Sequence, residues 1–438
     1  MKETTTVISP KPPKTFSLPD ELLAAVATAG QEDCDDALGL GWTLSHVSRR
    51  FRNTVIGTPS LWTRVEITLG SEDSVEIFKL HLERSKVCKL WVTLRDISVM
   101  ADTVTEHLSH LVPHISRIWR SDMALDDTKS ILAVLVPFRH AAAPCLEHLD
   151  IKMINTHGSF SMNIFSAGAP RLTSLKLNKC VPCFPVPQWT TSLTHLEWRC
   201  GDAYQDGNRF FPAVMAQCPL LVHLSLDTRH MTELERMSIP SLKSLVVFIG
   251  QSLSCSYVEE ICGFFDTPAL TDLTINFAHG PHICHLFNST SLPSSFPVLT
   301  FLTFVGSCSA WDEFRYLPPL PPPQKILSPP LHLFPALSSL SLVGQCSTAN
   351  IISDLLGPNS PPWPFLRTIT VCPKDSDVEE IYTALQLVVR SKKPLPGFRF
   401  STLLYEYSWD EHGVDAELYD PADLIDALEL IYPFDMSP

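Results

Sequence analysis

One phrase, Pro-x-Leu-x-x-Leu-x-apolar, recurs down the last two-thirds of the chain, and it restricts the possible folds more than any other feature. It reads Pro144-Cys-Leu146-Glu-His-Leu149-Asp-Ile151, then Pro170/Leu172/Leu175/Leu177, Leu193/Leu196/Trp198, Pro219/Leu221/Leu224/Leu226 and Pro240/Leu242/Leu245/Val247. It continues as Pro268/Leu270/Leu273/Ile275, Pro297/Leu299/Leu302/Phe304, Pro335/Leu337/Leu340/Leu342 and Pro364/Leu366/Ile369/Val371. Eight of these nine copies carry proline two residues before the first leucine, and Pro113-His-Ile115-Ser-Arg-Ile118 reads as a degenerate tenth. A phrase repeated every 21 to 38 residues marks a solenoid, whose units bury their apolar faces only against their neighbours. A chain of 438 residues outgrows a single compact core unless that core extends along one axis, as a repeat array does.

Period-two apolar positions make each Leu-x-x-Leu-x-apolar core a strand with one buried face. The proline is expected where the strand begins, a place that tolerates a missing N–H. Segments between strands, such as Phe210 to Cys218 and Tyr257 to Phe265, have helical apolar spacing and should form the convex side. Strand-then-helix units joined in one sense give a parallel sheet in a curved α/β solenoid. Beyond residue 374, Ser376-Asp-Val-Glu379 forms a capping box ahead of an amphipathic helix ending near Lys393. An acidic helix from about Asp423 to Tyr432 follows, and both helices are candidates to shield the last repeat.

Ahead of the repeats the pattern changes. Residues 1–16 form a polar tail. Ser17-Leu-Pro-Asp-Glu21 is a helix start, with Ser17 as cap, Pro19 in the first turn and acids at the positive helix end. Leu22, Leu23 and Val26 follow at helical spacing, and the acidic run from Gln31 to Asp36 loops out. A second helix is expected from Trp42 to about Ile56, with Leu44, Val47, Phe51 and Val55 on one face. Thr58-Pro59-Ser-Leu61-Trp62 closes this small unit, which occupies residues 17–66. An intermediate zone, 67–140, should hold a helix from Val75 to Arg84, a strand from Leu90 to Leu94 and a helix from Thr128 to Phe138. The solenoid then spans 141–374 and a helical cap 375–438.

Composition narrows the function classes. Acids outnumber bases 47 to 33, a net charge of −14, whereas binding nucleic acid requires clustered Lys and Arg to displace counterions. Nucleic acid is not an expected partner. No apolar run approaches the ~18–20 residues that span a bilayer, and the first residues lack a hydrophobic signal core. The 13 cysteines are odd in number and scattered, as in proteins kept reduced, so a cytoplasmic or nuclear location is expected. The sequence has no Gly-rich phosphate loop, no G-x-S-x-G elbow and no H-E-x-x-H, so neither an enzyme nor a cofactor is expected.

The residues of the N-terminal unit carry a resemblance. Leu18-Pro19-Asp-Glu21-Leu22-Leu23, then Leu44-Ser-His-Val47-Ser-Arg49-Arg50-Phe51-Arg52, then Pro59-Ser-Leu61-Trp62-Thr-Arg-Val65, resembles an F-box. Phe51 stands where that family usually has Trp, Ser48 where it has Cys, and the gap between the first two pieces is long and acidic. The phrase Leu82-Glu83-Arg84-Ser85 is similar to one found after the box in large fungal families. An F-box followed by leucine-rich repeats resembles the substrate receptor of an SCF-type ubiquitin ligase. That resemblance implies a Skp-family adaptor as partner, through it a cullin, and a protein substrate, with the chain a monomer inside the larger complex. Leu18, Pro19, Leu22, Leu23, Val26, Leu44, Val47 and Phe51 are the adaptor-binding candidates. A unit of about 50 residues cannot bury all of them, so some either dock on the first repeats or meet a partner's groove. A repeat scaffold whose box no longer meets the adaptor, with no ligase role, is the alternative.

Strand alternation assigns the recognition face. If Leu175 and Leu177 point inward, Ser174, Lys176 and Asn178 point outward. The same rule displays His148, Asp150, Lys152, His195, Glu197, Arg199, His223 and Asp227 on early copies. Later copies display Val246, Phe248, Phe301, Val305 and Val343, and exposed apolar patches mark contact surfaces. Lys176, Glu197, Arg199, Phe248, Phe301 and Val305 are therefore the substrate-binding candidates, with a covering C-terminal helix or proline loop as the competing account of the apolar ones. Arg315-Tyr-Leu-Pro318-Pro319-Leu-Pro321 fits a polyproline ligand frame through Arg315, Pro318 and Pro321. Cys180-Val-Pro-Cys183 lacks a second pair for zinc. His279, His282, Cys284 and His285 cluster in an expected loop without a completing ligand, so no metal is expected.

Overall fold

A computed structural model describes residues 18–32, 39–69, 72–96, 107–125, 134–154, 160–162, 164–182, 188–199, 207–228, 236–249, 254, 256–276, 280–289, 296–306, 326, 332–343, 348–356, 365–372 and 397–400. The strands are β1 (Arg64–Leu69), β2 (Leu90–Asp96), β3 (Ile118–Leu125), β4 (His148–Met153), β5 (Phe160–Met162), β6 (Ser174–Asn178), β7 (Cys180–Pro182), β8 (His195–Arg199) and β9 (His223–Asp227). They continue as β10 (Met237–Ser238), β11 (Ser244–Phe248), β12 (Phe265–Asp266), β13 (Asp272–Asn276), β14 (Phe301–Val305), β15 (Ser339–Val343), β16 (Thr368–Cys372) and β17 (Gly397–Phe400). Thirteen of them form one sheet in the order β1-β2-β3-β4-β6-β8-β9-β11-β13-β14-β15-β16-β17. Every pairing in it is parallel. Two small parallel pairs, β5 with β7 and β10 with β12, lie outside that sheet.

All nine copies of the phrase fall on strands of the main sheet, in one register. Leu149, Leu175, Leu196, Leu224, Leu245, Leu273, Leu302, Leu340 and Ile369 form one continuous row, and the residues two further on form a second. Both rows are almost wholly inaccessible to solvent. The first leucine of each copy enters the same core just ahead of its strand.

The proline is not at the strand start but four residues earlier, in a β-turn. The N–H of Leu146 donates to Ala143 O (3.1 Å), that of Leu172 to Ala169 O (3.1 Å), and that of Leu242 to Ile239 O (3.2 Å); Leu221, Leu270, Leu299 and Leu337 repeat the bond. Proline is then the second residue of the turn, where its fixed φ is already correct and its missing N–H is not needed. The copy without proline keeps the turn, Leu193 N donating to Thr190 O at 3.2 Å. Hydroxyls reinforce the step to the next strand: Thr173, Thr194, Thr271, Thr300 and Ser338 each donate to a carbonyl just ahead of the preceding strand.

The sheet also exceeds the repeat region at both ends. β1, β2 and β3 belong to it, and β17 extends it past residue 374. The expected tenth copy is shifted by three residues: Pro113 and Ile115 lie in a 3-10 turn (Val112–Arg117), and Ile118, Ser121 and Met123 take the three apolar positions. A buried serine in a leucine slot hid this copy from any apolar periodicity. The proposed capping helices at 376–393 and 423–432 lie outside the described residues.

The first helices are α1 (Asp20–Glu32), α2 (Gly39–Ser45), α3 (Arg49–Ile56) and α4 (Glu72–Arg84). Between α3 and β1 comes a 3-10 turn, Pro59–Trp62. The expected single helix from Trp42 to Ile56 is broken in two. Ser48 has extended backbone and its hydroxyl accepts from Phe51 N (3.2 Å), so it starts α3 as an N-cap, the position that serine favours. Ser17 lies outside the described residues, and Pro19 precedes α1, its carbonyl accepting from Leu22 and Leu23. Gly41 lets α2 approach the turn closely, since a Cβ there would stand 3.0 Å from Leu61 O.

Ala27, Val55, Leu61 and Trp62 form the core of this unit, with Leu40, Trp42 and Leu44 packed on it. Trp62 also fastens the unit to the sheet. Its Nε1 donates to Val55 O (2.9 Å), the His81 ring of α4 meets it edge-on at 5.1 Å, and the Arg84 guanidinium lies 4.3 Å from its ring centre. Ser85 accepts from Arg117, which also donates to Leu82 O and Cys88 O. The phrase from Leu82 to Ser85 is thus a structural joint.

His81 is 4% exposed, and burial lowers its pKa to about 4. Its Nδ1 lies 3.2 Å from Arg64 O, and nearby Arg84 further disfavours the charged ring. A folded pKa below the unfolded value of about 6.5 means that stability is complete above pH 6.5 and declines as pH falls towards 4. The total loss is about 3 kcal/mol. Asp150, whose pKa is raised, has the opposite sign over this window, so the comparison must be with a variant. The stability gap between wild type and His81→Phe should shift towards the variant between pH 7 and 4 in urea melts. A gap that does not change with pH would contradict the assignment.

The later helices are α5 (Gly207–Met215), α6 (Tyr257–Phe264), α7 (Gly280–Asn288) and α8 (Thr348–Leu356). They lie between successive strands in the chain, and their buried side chains, such as Phe211, Ile261, Phe287 and Ile351, join the main core. The expected histidine loop is largely α7. It buries His282 and Cys284 and sets His285 Nδ1 3.0 Å from Glu259 Oε2 of α6. His279 lies outside the described residues. Among those described, no group of three or more His, Cys, Asp or Glu could hold a metal ion.

Candidate functional site

Two surfaces present unpartnered chemistry. The first is on the helical unit. Leu18, Leu22 and Val26 follow one another at helical spacing and are 48%, 51% and 65% exposed, with Val47 at 60%. Pro19 is exposed as well. Leu23 and Phe51 are half-buried, and Leu44 packs inward on the small core. Five of the eight candidates from the sequence are therefore free for contact. Arg50 braces the start of this stripe, its Nε donating to Asp20 Oδ1 at 2.8 Å and its terminal NH2 group to Leu18 O.

The second surface is the exposed face of the main sheet, whose side chains form three rows across the strands. The first row runs Arg64, Trp91, Arg120, His148, Ser174, His195, His223, Ser244, Asp272, Phe301. The middle row runs Glu66, Thr93, Asp122, Asp150, Lys176, Glu197, Ser225, Val246, Thr274, Thr303 in the same pairings. The face divides by chemistry: charge and aromatic rings occupy β1 to β8, while hydroxyls, valines and phenylalanines dominate from β11 onwards.

Four of the six substrate candidates meet in one network. Glu197 accepts from Arg199 (2.8 Å) and pairs with Lys176 (3.5 Å), and the Arg199 guanidinium lies 4.6 Å from the centre of the Phe248 ring. Phe301, 51% exposed, is not part of it. Phe301 is in the first row and Phe248 in the third, two strands apart, so the rows separate them by about 13 Å along the strand direction. Val305, half-buried, lies in the third row. The two phenylalanines therefore stand at separate points of the face rather than in one cluster. Two residues expected on this face are buried instead, Asp227 and Val343. Beside Asp227, Thr228 donates to Phe248 O and accepts from the Tyr257 hydroxyl, which draws the end of β9 inward.

Sequence reasoning missed a cluster on β1, β2 and β3. The Trp91 ring lies between the guanidinium groups of Arg64 (4.4 Å) and Arg120 (4.1 Å), and its Nε1 donates to Asp122 Oδ2 at 2.6 Å. Trp119 meets Trp91 edge-on and His148 edge-on. β1 and β2 lack the Pro–Leu phrase and the degenerate copy at β3 is shifted by three residues, so apolar spacing did not align them.

A shallow depression of about 290 Å3 lies across β6, β8, β9 and β11. Short side chains create it: Ser174, Ser225 and Ser244 stand where neighbours carry rings or long chains. The imidazoles of His195 and His223 stack at 4.4 Å along one rim, and Lys176 and Glu197 line the other. Burial, aided by the two nearby histidines, holds the His195 pKa below its ordinary value. Arg315, Pro318 and Pro321 lie outside the described residues, as does Cys183; Cys180 is buried, its thiol directed at Asn178 O.

No family model and no curated protein matches this chain. What the coordinates define is a parallel α/β array with a small helical unit at its first strand, and among the described residues no helix is long and apolar enough to cross a membrane.

Proposed function

We propose that this chain is a non-enzymatic binding protein, the substrate receptor of an SCF-type ubiquitin ligase. Its helical unit docks on a Skp-family adaptor, and the exposed face of its sheet holds a protein substrate. The observation that carries the proposal is the stripe of Leu18, Leu22, Val26 and Val47. It stays in water although the unit has an apolar core of its own, as a helix does when it is built to enter a partner's groove. Its position agrees with the resemblance to an F-box.

Purified full-length protein should capture the Skp-family adaptor, and Leu18→Asp/Leu22→Asp should weaken capture at least about a hundredfold, two buried apolar anchors being worth about 3 kcal/mol or more. Both side chains are exposed, so the variant should unfold at the same denaturant concentration as wild type. Absence of adaptor from the wild-type sample would end the ligase reading and leave a repeat scaffold.

A further inference from the structure

The middle row of the exposed face has a charge imbalance at one position. Each carboxylate around that position has a partner. Glu66 pairs with Arg95 at 3.1 Å, Asp122 with Trp91 and Arg120, and Glu197 with Arg199 and Lys176. Asp150, on β4 between Asp122 and Lys176, makes no hydrogen bond or ion pair among the described residues, although it is partly buried. Burial, with repulsion from Asp122 and Glu197, pushes its pKa up to about 6, against the pull of Lys176 and Arg120. A carboxylate in that state gains more from an added cation than its paired neighbours do, because they have already been neutralised.

The surroundings leave room for such a cation. Asp150 is flanked on β3 by Arg120, Asp122 and Ala124 and on β6 by Ser174, Lys176 and Asn178, and the short Ala124 and Ser174 take two of the four corners of its register neighbourhood. Ser174 opens directly into the depression, where the stacked rings of His195 and His223 form a wall. The flat faces of the two rings suit the aliphatic stem of a basic side chain. Lys176, the internal competitor, leans to Glu197 on the other side.

We infer that the exposed face between β4 and β11 takes a basic segment of its partner, with an arginine or lysine side chain seated in the depression and its charge paired with Asp150. An acidic or phosphorylated segment would bring a second negative charge to the unpaired Asp150 and is disfavoured there. This rests on the reading of the sheet face as the substrate-binding surface, but not on adaptor docking.

The test is selection from a random peptide library on the immobilised full-length chain, followed by affinity measurements on the selected peptides. Arginine or lysine should be enriched at one fixed position. Asp150→Asn should weaken the selected peptides about tenfold, a loss typical of one removed charge partner. Lys176→Met should strengthen them, since it removes the internal cation. Binding should also fall as the pH drops through about 6, where Asp150 becomes neutral. Both substitutions are on the sheet surface, and adaptor capture should be unchanged in each. Enrichment of acidic or uncharged peptides, enrichment of none, or equal affinity for wild type and both variants would overturn the inference. Loss of adaptor capture by the wild type would overturn the ligase reading alone.

Discussion

Trp62→Ala should destabilise the helical unit by about 3–5 kcal/mol, the usual result of emptying a large buried aromatic site. Trp62 is wholly buried and is shared by two structures: it completes the core with Ala27, Val55 and Leu61, and it receives His81 and Arg84 from α4. Its loss removes the Val55 hydrogen bond and two ring contacts besides the apolar volume. Since the main core contains none of those three partners, the damage should be confined. Hydrogen exchange should show residues 18–62 losing protection while strands β4 to β16 keep theirs. Adaptor capture should fall with it, because the stripe would lose the scaffold that orders it. Arg84→Ala tests the joint separately. It removes only the cation over the ring, worth about 0.5–1 kcal/mol at a partly exposed site, so it should leave the unit folded. Equal loss of protection along the whole chain in Trp62→Ala would show that the unit and the sheet fold as one.

Trp198→Ala should cost a similar 3–5 kcal/mol, but in the middle of the array. The indole is fully buried between Leu177 and Leu226 of the neighbouring strands and packs on Phe211 of α5 at 5.5 Å. A repeat array is stabilised by contacts between adjacent units, so a cavity there weakens two interfaces at once. Trp198→Phe is the informative partner. The Nε1 of Trp198 is buried without a hydrogen-bond partner among the described residues, and a lone buried donor costs about 1–3 kcal/mol. Phenylalanine removes that penalty while refilling most of the space, so its net change should stay within about 1 kcal/mol. Urea melts followed by circular dichroism would measure both. A phenylalanine variant as damaged as the alanine one would show that the indole nitrogen is satisfied in solution.

Much of this fold was legible because the phrase encodes two local events in a fixed order, although the proline was expected at the strand start and lies in the turn before it. Proline and the residue before it make a turn, and leucines at fixed offsets then bury one strand face; both depend on residues close in sequence. Hence all nine expected strands, and the helices at Tyr257 and Phe210, lie close to where the spacing put them. The failures have two causes: a position whose environment comes from a distant segment, and a local backbone event that apolar spacing does not record, as at the turn proline and the Ser48 cap. Ser121 fills a leucine slot, Ser48 divides a helix that looked continuous by capping its second half, and Asp227 is drawn inward beside a threonine held by Phe248 and Tyr257.

The candidate sites divide in the same way. Exposure of Leu18, Leu22 and Val26 follows from helical spacing in a unit too small to bury them. That Lys176, Glu197, Arg199 and Phe248 form a network depends on register between β6, β8 and β11, as does the distance that keeps Phe301 from them. Strand alternation put Asp150 on the outward face, but nothing in the sequence marked it, among 47 acidic residues, as the one left unpaired.

The sequence by itself determined the repeating strand, its turn, its buried face and the absence of any recognised catalytic motif, because these are set within a window of about eight residues by backbone geometry and side-chain alternation. Only the tertiary structure decided which charges are paired, which are left without a partner, and where the small side chains open a depression. Those properties belong to neighbouring strands some 20 to 40 residues apart in the chain, and the electrostatics of each group depend on burial and distance that no local pattern records.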